Sequence, residues 1–272
     1  MKIQQIKIEF HVTPQIKRYV YVYLLITENG GYLIDSGVAG SEGTIEKAAI
    51  ENGCLPSDIK AIFLTHAHSD HIGTASYFRE KYGTAIYASE GERAWIEDID
   101  LQFAERPIPN FYTLAGRPVA VDHIVKDGDT IVLSDEIRVH VIGTPGHSAD
   151  EVSYQMDDVV FTGDAIPVKG DIPIFVHLED TKNSLLRLEQ LSNVKLFYPA
   201  WDQTYSTEVM KSKIKDAKEI IKKLEEIVGD LDHRLTDSKL VDLVCERLNM
   251  PMLKGNPLFA RTVACCRKKG DI

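Results

Sequence analysis

The segment THAHSDH places four strong metal-ligating side chains within six residues: His66, His68, Asp70 and His71. Three imidazoles and a carboxylate so close together are rare in a solvated loop, and a protein core does not tolerate them unpaired. In an extended segment His66 and His68 point the same way, whereas Asp70 and His71 come at the predicted start of a helix. The spacing therefore predicts one loop that supplies ligands to two neighbouring metal ions.

Regular elements on either side must position this loop. The short apolar run at 61–65 (AIFLT) predicts a strand buried on both faces, and a helix is predicted at 71–82. The remaining patterns predict strands at 3–10, 19–27, 31–35, 84–88, 130–133, 137–142, 151–156, 159–162 and 195–198, and helices at 41–52, 89–97, 181–191 and from 207 onward. The repeated order of strands followed by helices indicates two α/β halves.

Two segments between the predicted elements carry further signals. Ser89, followed three residues later by Glu92, is predicted to form a capping box at the start of a helix. Residues 100–120 hold three prolines and lack a clear period. We expect them to form a lid or rim over the site.

Composition narrows the class of protein. Forty-one acidic residues against 31 Lys and Arg give a formal net charge of −10 over 272 residues, which does not favour nucleic acid or an anionic membrane surface as partner. The N-terminal MKIQQIKIEFHV alternates polar and apolar residues, which indicates a strand rather than a signal peptide. Four cysteines without a Cys-x-x-Cys pair favour neither a disulfide framework nor a thiolate zinc knuckle. We expect a cytoplasmic protein whose partner is a small-molecule substrate.

The ligand-rich loop and three later motifs resemble the metallo-β-lactamase superfamily. His-x-His-x-Asp-His after an apolar strand is similar to the family signature, and Asp35 in YLIDSG is similar to its early aspartate. His147 in GTPGHS and Asp164 in FTGD match two further motifs in the right order. The resemblance covers about residues 1–205. It implies an αββα sandwich with a metal site at one edge between the sheets, and leaves residues 206–272 as a helical C-terminal extension.

The resemblance also implies a role for each matched residue. His66, His68 and His147 would hold a first ion, Asp70 and His71 a second, and Asp164 would bridge the two. Asp35 would lie behind the ligands and orient an imidazole or the metal loop. Such a set suits two divalent ions, with zinc expected and iron or manganese also compatible.

The final motif of the family is not matched. Trp201 stands in the segment YPAWD where the family places a histidine, and an indole N–H cannot ligate a metal. Asp202 could replace the histidine as a carboxylate ligand, the second ion could be held without a fourth side chain, or the site could work with one metal. The expectation is a second ion held by Asp202 or by solvent. His177 is a further candidate ligand, although a pocket-wall or surface position is the simpler interpretation.

The implied reaction is hydrolysis by a metal-bound hydroxide, because a divalent ion lowers the pKa of its bound water and polarises a carbonyl. Asp70 and Asp164 would orient the hydroxide and pass on its proton. Several β-lactamases of the family carry Cys where this chain has Asp164, and many carry Arg where it has His71. The chain therefore resembles the thioesterase and lactonase branch, which cleaves esters, thioesters or lactones.

Two functions of other classes remain open on the sequence. A mononuclear-iron thiol or persulfide dioxygenase could use the same histidines, and the identity of the bound metal separates it from a hydrolase. A family member that has lost catalysis and acts as a binding protein is supported only by Trp201. Retention of six expected ligands speaks against it.

The C-terminal region carries an apolar stripe and a basic end. The stripe recurs at spacings of four and three and consists of Met210, Ile214, Ala217, Ile221, Leu224 and Val228. It predicts a helix packed on the body of the protein, with a homodimer contact as the alternative. The basic side chains of the tail could meet an anionic substrate or simply be solvated: Arg261, Arg267, Lys268 and Lys269.

Overall fold

Two six-stranded sheets lie face to face in the computed structural model, which describes residues 1–133, 137–232 and 234–267. The first sheet has its strands in sequence order. They are β1 (Lys2–Thr13), β2 (Ile16–Thr27), β3 (Gly30–Ile34), β4 (Ile59–Phe63), β5 (Ala85–Ser89) and β6 (His123–Val125). β1, β2 and β3 are antiparallel neighbours, whereas β3 to β6 run parallel to one another.

The second sheet is mostly antiparallel. Its strands are β7 (Thr130–Val132), β8 (Arg138–Gly143), β9 (Val152–Met156), β10 (Val159–Gly163), β11 (Leu196–Pro199) and β12 (Tyr205–Ser206), again in sequence order across the sheet. β10 and β11 are parallel, and the other neighbouring pairs are antiparallel.

Helices cover the outer face of each sheet. They are α1 (Glu42–Glu51), α2 (Ser69–Ile72), α3 (Ala75–Tyr82), α4 (Glu90–Glu97), α5 (Ile99–Glu105), α6 (Phe111–Ala115), α7 (Leu178–Glu189), α8 (Thr207–Gly229), α9 (Asp237–Leu248) and α10 (Pro257–Cys265). Single 3₁₀ turns lie at Pro56–Asp58 and Pro251–Leu253. None of the helices in the described part of the chain is both long and apolar enough to cross a membrane.

Strand alternation separates the inner layer from the outer ones. Tyr23 of β2 and Phe161 of β10 belong to the apolar cluster between the sheets. Their neighbours Val22 and Val160 face outward, towards the helices on either side. This is the expected αββα sandwich with helices at its C-terminal end, so the predicted fold class is confirmed.

The elements near the ligand loop differ in part from the sequence prediction. The helix predicted at 71–82 is two helices, and between them the backbone N–H of Gly73 donates to the carbonyl oxygen of Gly37 at 2.8 Å instead of continuing the helix. The backbone of Ala39 and Leu114 lies so close to Gly73 that a side chain has no room there. The region 100–120, predicted as an irregular rim, contains α5 and α6, and the sequence signals also missed the short edge strands β6 and β12.

The C-terminal apolar stripe is buried inside the chain. All six stripe residues of α8 are at most 4% exposed. They share one apolar cluster with the outer face of the second sheet, including Phe197, and with α7, α9 and α10. The stripe therefore packs on the body of the protein, and the predicted alternative of a dimer contact through it is not supported. The boundary near residue 205 stays a prediction.

Candidate metal centre

The chemistry-bearing side chains come from loops at one edge of the sandwich. Asp35 follows β3, the ligand loop follows β4, and Asp164 follows β10, at the carboxyl ends of strands that run in one direction within each sheet. His147 follows β8, whose direction matches that of β10 because both are antiparallel to β9. The two sheets therefore bring residues far apart in sequence to one place, as expected of ligand sites at strand ends.

Three imidazoles converge at this edge. Nδ1 of His68 lies 2.9 Å from Nε2 of His66 and 2.9 Å from Nε2 of His147. One ring nitrogen from each lies within 4.8 Å of the other two. The rings are buried, with at most 7% of each residue exposed. A common point among three imidazole nitrogens is the arrangement that a transition metal or zinc ion requires.

Asp164 lies between this group and a second one. Its Oδ2 is 3.3 Å from Nε2 of His147, 3.4 Å from Nε2 of His71 and 4.0 Å from Nε2 of His66. His66, His71 and Asp164 form a second set of donors within 4.8 Å of one another. Asp70 is at the margin, with Oδ2 3.9 Å from Nε2 of His71, and belongs to neither set of converging donors.

The ring nitrogens that face away from the cluster have their own partners. Nδ1 of His147 lies 3.0 Å from the carbonyl oxygen of Ile174, and Nδ1 of His66 lies 3.0 Å from Oγ1 of Thr65. Nδ1 of His71 lies 2.9 Å from the carboxylate of Asp35. The acceptors beside His66 and His147 hold the ring proton on the outer nitrogen, so the lone pair of the inner nitrogen points into the cluster, and Asp35 fixes the ring orientation of His71.

Asp35 holds the ligand loop as well as His71. Its carboxylate accepts hydrogen bonds from the backbone N–H of Thr65 at 2.8 Å and from the hydroxyl of Thr65 at 2.9 Å. The residue is 2% exposed and has a φ of 59°, which an aspartate adopts more readily than most residues. Asp35 thus occupies the supporting position that the sequence analysis gave it.

Burial keeps the three converging imidazoles neutral. It lowers the pKa of His66 and His68 well below the usual value, and it lowers the pKa of His147 to about 4. A neutral imidazole has the free lone pair that a metal ligand needs. At neutral pH no proton has to leave these rings before they can bind an ion.

The carboxylates have the opposite effect on the pKa of His71. Burial acts to lower the pKa of His71, but Asp164, Asp35 and Asp70 together raise it well above the usual value. Burial likewise acts to raise the pKa of Asp164, and the charge of His71 reverses this and lowers it. A cluster of acidic groups that favours a positive charge at its centre suits a cation.

Two buried polar atoms of the second donor set lack hydrogen-bond partners among the residues that the structure describes, which bears on whether a metal ion fits there. Nε2 of His71 and Oδ1 of Asp164 are buried and have no hydrogen-bond partner in the described ranges. Such atoms are costly to leave unpaired, and both belong to the second set of donors. Imidazole nitrogens with carboxylate oxygens are ligands that zinc, iron and manganese accept. The residues present therefore fit a divalent metal.

One expected ligand and one further candidate lie elsewhere. Asp202 does not reach the cluster, because its carboxylate lies 3.4 Å from Nζ of Lys213 and accepts the backbone N–H of Gln203 at 2.8 Å. The expected role of Asp202 as a replacement ligand is therefore wrong for this arrangement, since Asp202 belongs to neither set of converging donors. His177 is exposed at the start of α7 and belongs to neither donor set. Trp201 lines the cavity beside the cluster, and its Nε1 is buried without a hydrogen-bond partner from the described residues.

Glu92 of α4 connects the two ligand loops, a role the sequence analysis missed. Its carboxylate accepts the backbone N–H of Ala67, between two ligands, and the backbone N–H of Asp150, each at 2.9 Å. It also accepts the hydroxyl of Ser148, next to His147. Burial raises the pKa of Glu92, and these hydrogen bonds oppose the rise. Glu92 thus ties the first ligand loop to the third motif.

The predicted capping box at this helix is wrong. Ser89 makes no side-chain cap, because its hydroxyl donates to the carbonyl oxygen of Asp150 at 2.6 Å. Glu92 is turned towards the ligand loops rather than back to the helix start. A few residues later, the amide of Gln102 in α5 donates to the carbonyl oxygen of Ala67 at 2.6 Å. No local sequence pattern distinguishes a helical polar residue that makes such a long-range bond from one that faces solvent.

A cavity of about 380 Å³ opens beside the cluster. His68, Asp70, His147 and Asp164 form part of its wall. Most of the remaining wall is apolar and comes from β1, from the segments 106–114 and 166–174, and from the start of α10. Residues from the 100–120 region, including Ile108 and Leu114, thus line the site, in keeping with the rim that the sequence analysis expected.

Two basic side chains of the tail, Arg261 and Arg267, have partners within the protein. Arg267 lies 2.9 Å from the carboxylate of Asp237, and Arg261 donates to the carbonyl oxygen of Glu105. Lys268 and Lys269 lie outside the described residues. The contact of this tail with an anionic substrate stays a prediction.

Known proteins share this sequence pattern and this fold. The chain is 32% identical over 146 residues to the probable metallo-hydrolase YqgX of Bacillus subtilis (strain 168), covering 53% of this chain and 64% of the relative. It is 28% identical over 156 residues to a hydroxyacylglutathione hydrolase of Bradyrhizobium sp. (strain BTAi1), covering 54% of this chain and 51% of the relative. Both matches span less than two thirds of the relative's own length.

Solved structures and a family model agree with these relatives. A crystal structure of a metallo-beta-lactamase family protein from Thermus thermophilus superimposes with a TM-score of 0.75 at 20% identity, covering 97% of this chain and 91% of the other. This likeness shows the fold alone. The sequence model of the metallo-beta-lactamase superfamily matches residues 16–201, which include every converging donor. The chain therefore belongs to the metallo-beta-lactamase superfamily.

Proposed function

We propose that this protein is a metal-dependent hydrolase that cleaves an ester, thioester or lactone bond in a small molecule. The observation that carries the proposal is the pair of donor sets that share His66, one of three imidazoles and one completed by His71 and Asp164. Their inward lone pairs and the cavity beside them supply the parts that hydrolysis at a metal needs.

The proposed ligands are the residues that converge in the structure. His66, His68 and His147 would hold one divalent ion, and His71 and Asp164 with Asp70 at their margin would hold a second. Zinc is the ion we expect. When bound, such an ion lowers the pKa of water to about 7 and polarises a carbonyl oxygen.

Asp70 is the proposed catalytic residue of the chain. Its carboxylate is 14% exposed and lines the cavity, whereas Asp164 is 8% exposed and lies among the imidazoles. Asp70 can therefore reach a water molecule in the cavity, orient it and take its proton. Asp35 and Glu92 do not touch the cavity and act by holding the ligand loops in place.

The nature of the cavity and the relatives support the substrate class. The wall is mostly apolar, which suits an acyl group. Several relatives are hydroxyacylglutathione hydrolases, and a hydroxyacylglutathione is a thioester. Asp164 stands where several β-lactamases carry Cys, and His71 stands where many carry Arg. We therefore expect classical β-lactams to be poor substrates, and efficient turnover of a cephalosporin would contradict this assignment.

Elemental analysis of protein purified without added metal tests the proposal. We expect up to two zinc ions per chain and hydrolysis of thioesters such as S-acyl glutathione. His68→Ala should lose at least one ion and the activity, while His123→Ala, an exposed histidine stacked on Tyr87, should keep both. Full activity in His68→Ala would remove the metal-hydrolase assignment. One iron per chain with consumption of O₂ and no hydrolysis would establish the dioxygenase instead.

A further inference from the structure

Arg106 enters the cavity from the end of α5 as a buried cation. The residue is 6% exposed and forms part of the cavity wall with His68, Asp70 and Asp164. Its backbone N–H bonds to the carbonyl oxygen of Gln102, which fixes the base of the side chain. Its guanidinium, by contrast, has neither a hydrogen bond nor an ion pair with any residue that the structure describes.

A buried guanidinium normally has a carboxylate or carbonyl partner, because an unpaired buried charge is costly. Burial does lower the pKa of Arg106, to about 10, so the group still carries its charge at neutral pH. The charge of Asp70, and more weakly those of Asp164 and Glu92, act to raise that pKa without pairing with the guanidinium, whereas the charge of Arg261 acts to lower it. A buried guanidinium that has no direct hydrogen bond or ion pair, with a second arginine nearby, is a group that a bound anion would stabilise.

The other basic residues of the cavity wall differ from Arg106. Arg18 lies 3.1 Å from the carboxylate of Asp171, and Lys254 lies 2.7 Å from the carboxylate of Glu246. Both cations already have a partner within the protein. Arg106 is therefore the cavity cation available to a ligand, among those in the described ranges.

The apolar wall limits what the rest of that ligand can be. It includes Phe10, Ile108, Leu114, Ile166, Trp201 and Leu258. A wholly polar anion would leave these side chains without contacts, and a wholly apolar molecule would leave the guanidinium unpaired in a drier cavity. A ligand with one oxyanion and an apolar body matches both parts of the cavity.

We propose that Arg106 binds an oxyanion, carboxylate or phosphate, on the substrate, and that this protein acts on amphiphilic acyl compounds that carry a negative charge near the scissile bond. Only the kinetic consequence of this proposal rests on the hydrolase function proposed above. The binding of an amphiphilic anion at Arg106 is a property of the chain itself, which can be measured without metal and without turnover.

Binding of matched probes tests this site. The probes are hexanoate, hexyl phosphate and hexanol, titrated by calorimetry into metal-free and zinc-loaded full-length protein. The variants are Arg106→Met, which removes the charge at similar length, and Arg106→Lys, which keeps the charge and loses the planar fork. Arg117→Met is the matched control, because Arg117 is an exposed arginine paired with Glu80 and absent from the cavity wall.

We expect wild-type protein to prefer at least one of the two anions over hexanol. In Arg106→Met that preference, the ratio of the two Kd values, should fall by about tenfold to hundredfold, since a charge-assisted hydrogen bond is lost. The ratio in Arg106→Lys should lie between those of wild type and Arg106→Met, and Arg117→Met should keep the wild-type ratio. A preference for hexanoate identifies the anion as carboxylate, and a preference for hexyl phosphate identifies it as phosphate. An unchanged ratio in Arg106→Met overturns the proposal.

Two further readouts separate this site from a structural role and from the hydrolase assignment. If Arg106 served stability, Arg106→Met would unfold at a lower temperature, whereas a binding role predicts an equal or higher Tm without ligand. The kcat/KM ratio for mono(4-nitrophenyl) glutarate over 4-nitrophenyl pentanoate should fall by about tenfold or more in Arg106→Met. If wild type hydrolyses neither these esters nor S-acyl glutathione, the hydrolase assignment fails and the calorimetry alone decides the anion site.

Discussion

Replacement of Glu92 by Gln tests how the two ligand loops are held together. Three donors face the carboxylate: the backbone N–H groups of Ala67 and Asp150 and the hydroxyl of Ser148. A glutamine offers one carbonyl oxygen on one side and an NH₂ on the other. If the oxygen faces Asp150, the NH₂ meets the N–H of Ala67, and if it faces Ala67, the NH₂ meets the N–H of Asp150. Either orientation leaves one buried backbone N–H unpaired.

The expected magnitude follows from that unpaired donor. An unsatisfied buried N–H costs about 1–3 kcal/mol, and about 2 kcal/mol lowers the Tm of a chain of this size by about 4–8 °C. Because the orphaned N–H lies in a ligand loop, the affinity for metal should fall by about tenfold to hundredfold. Thermal unfolding of the metal-free protein measures the first effect, and competition with a chelator measures the second.

Glu90→Gln serves as the control, because Glu90 is an exposed residue of the same helix. It should change neither the Tm nor the affinity. Wild-type metal affinity in Glu92→Gln would refute the idea that Glu92 positions the ligands, even if the Tm fell. Wild-type values of both quantities would refute the hydrogen-bond geometry itself.

Three more substitutions probe other parts of the molecule. Gly73→Ala should lower the free energy of unfolding by about 3 kcal/mol or more, because its methyl group would enter a contact between backbone segments. Gly43→Ala, in a helix with open space around it, should raise the free energy of unfolding by about 0.5–1 kcal/mol. Denaturant unfolding measures both changes. Asp202→Asn should keep the wild-type metal content by elemental analysis, and a loss of one ion would return Asp202 to the ligand set. A hydrogen bond from Tyr82 contributes most to lowering the pKa of Glu46 below its ordinary value of 4.5. The stability that Glu46 adds is therefore present above that pH and lost as pH falls through the lowered pKa, so Glu46→Gln should lower the Tm more at about pH 7 than at about pH 3.

The ligand loop and the strands that carry it were predictable because their signals are local. His66, His68 and His71 lie within six residues, and the strand before them is a short apolar run. Alternation along β2, with Tyr23 inside and Val22 outside, encodes the two faces of a sheet without knowledge of its partner. Such features depend on neighbours in sequence, which a single chain displays directly.

Partners separated along the chain were not predictable in this way. Glu92 is 25 residues from Ala67 and 58 residues from Asp150 in sequence, and only the fold shows that it faces both. The same holds for Asp202. Its position one residue after Trp201 suggested a replacement ligand, but the chain turns there towards α8, where Lys213 offers a nearer charge. A spacing argument cannot include a competing partner that it does not see.

The helical segment from Glu92 to Arg106 explains why both hidden roles lie in one place. Its two helices cover the edge where the ligand loop leaves β4, so side chains on their inner face meet either the loop or the cavity. The carboxylate of Glu92 and the amide N–H of Gln102 bond to backbone atoms of Ala67. Arg106, one turn beyond Gln102, lies past the loop and lines the cavity. Polar residues on a buried helix face are costly unless each has a partner. Hydrogen-bond partners of the first two are in the protein, and the proposed partner of the third is an anion that the cavity binds.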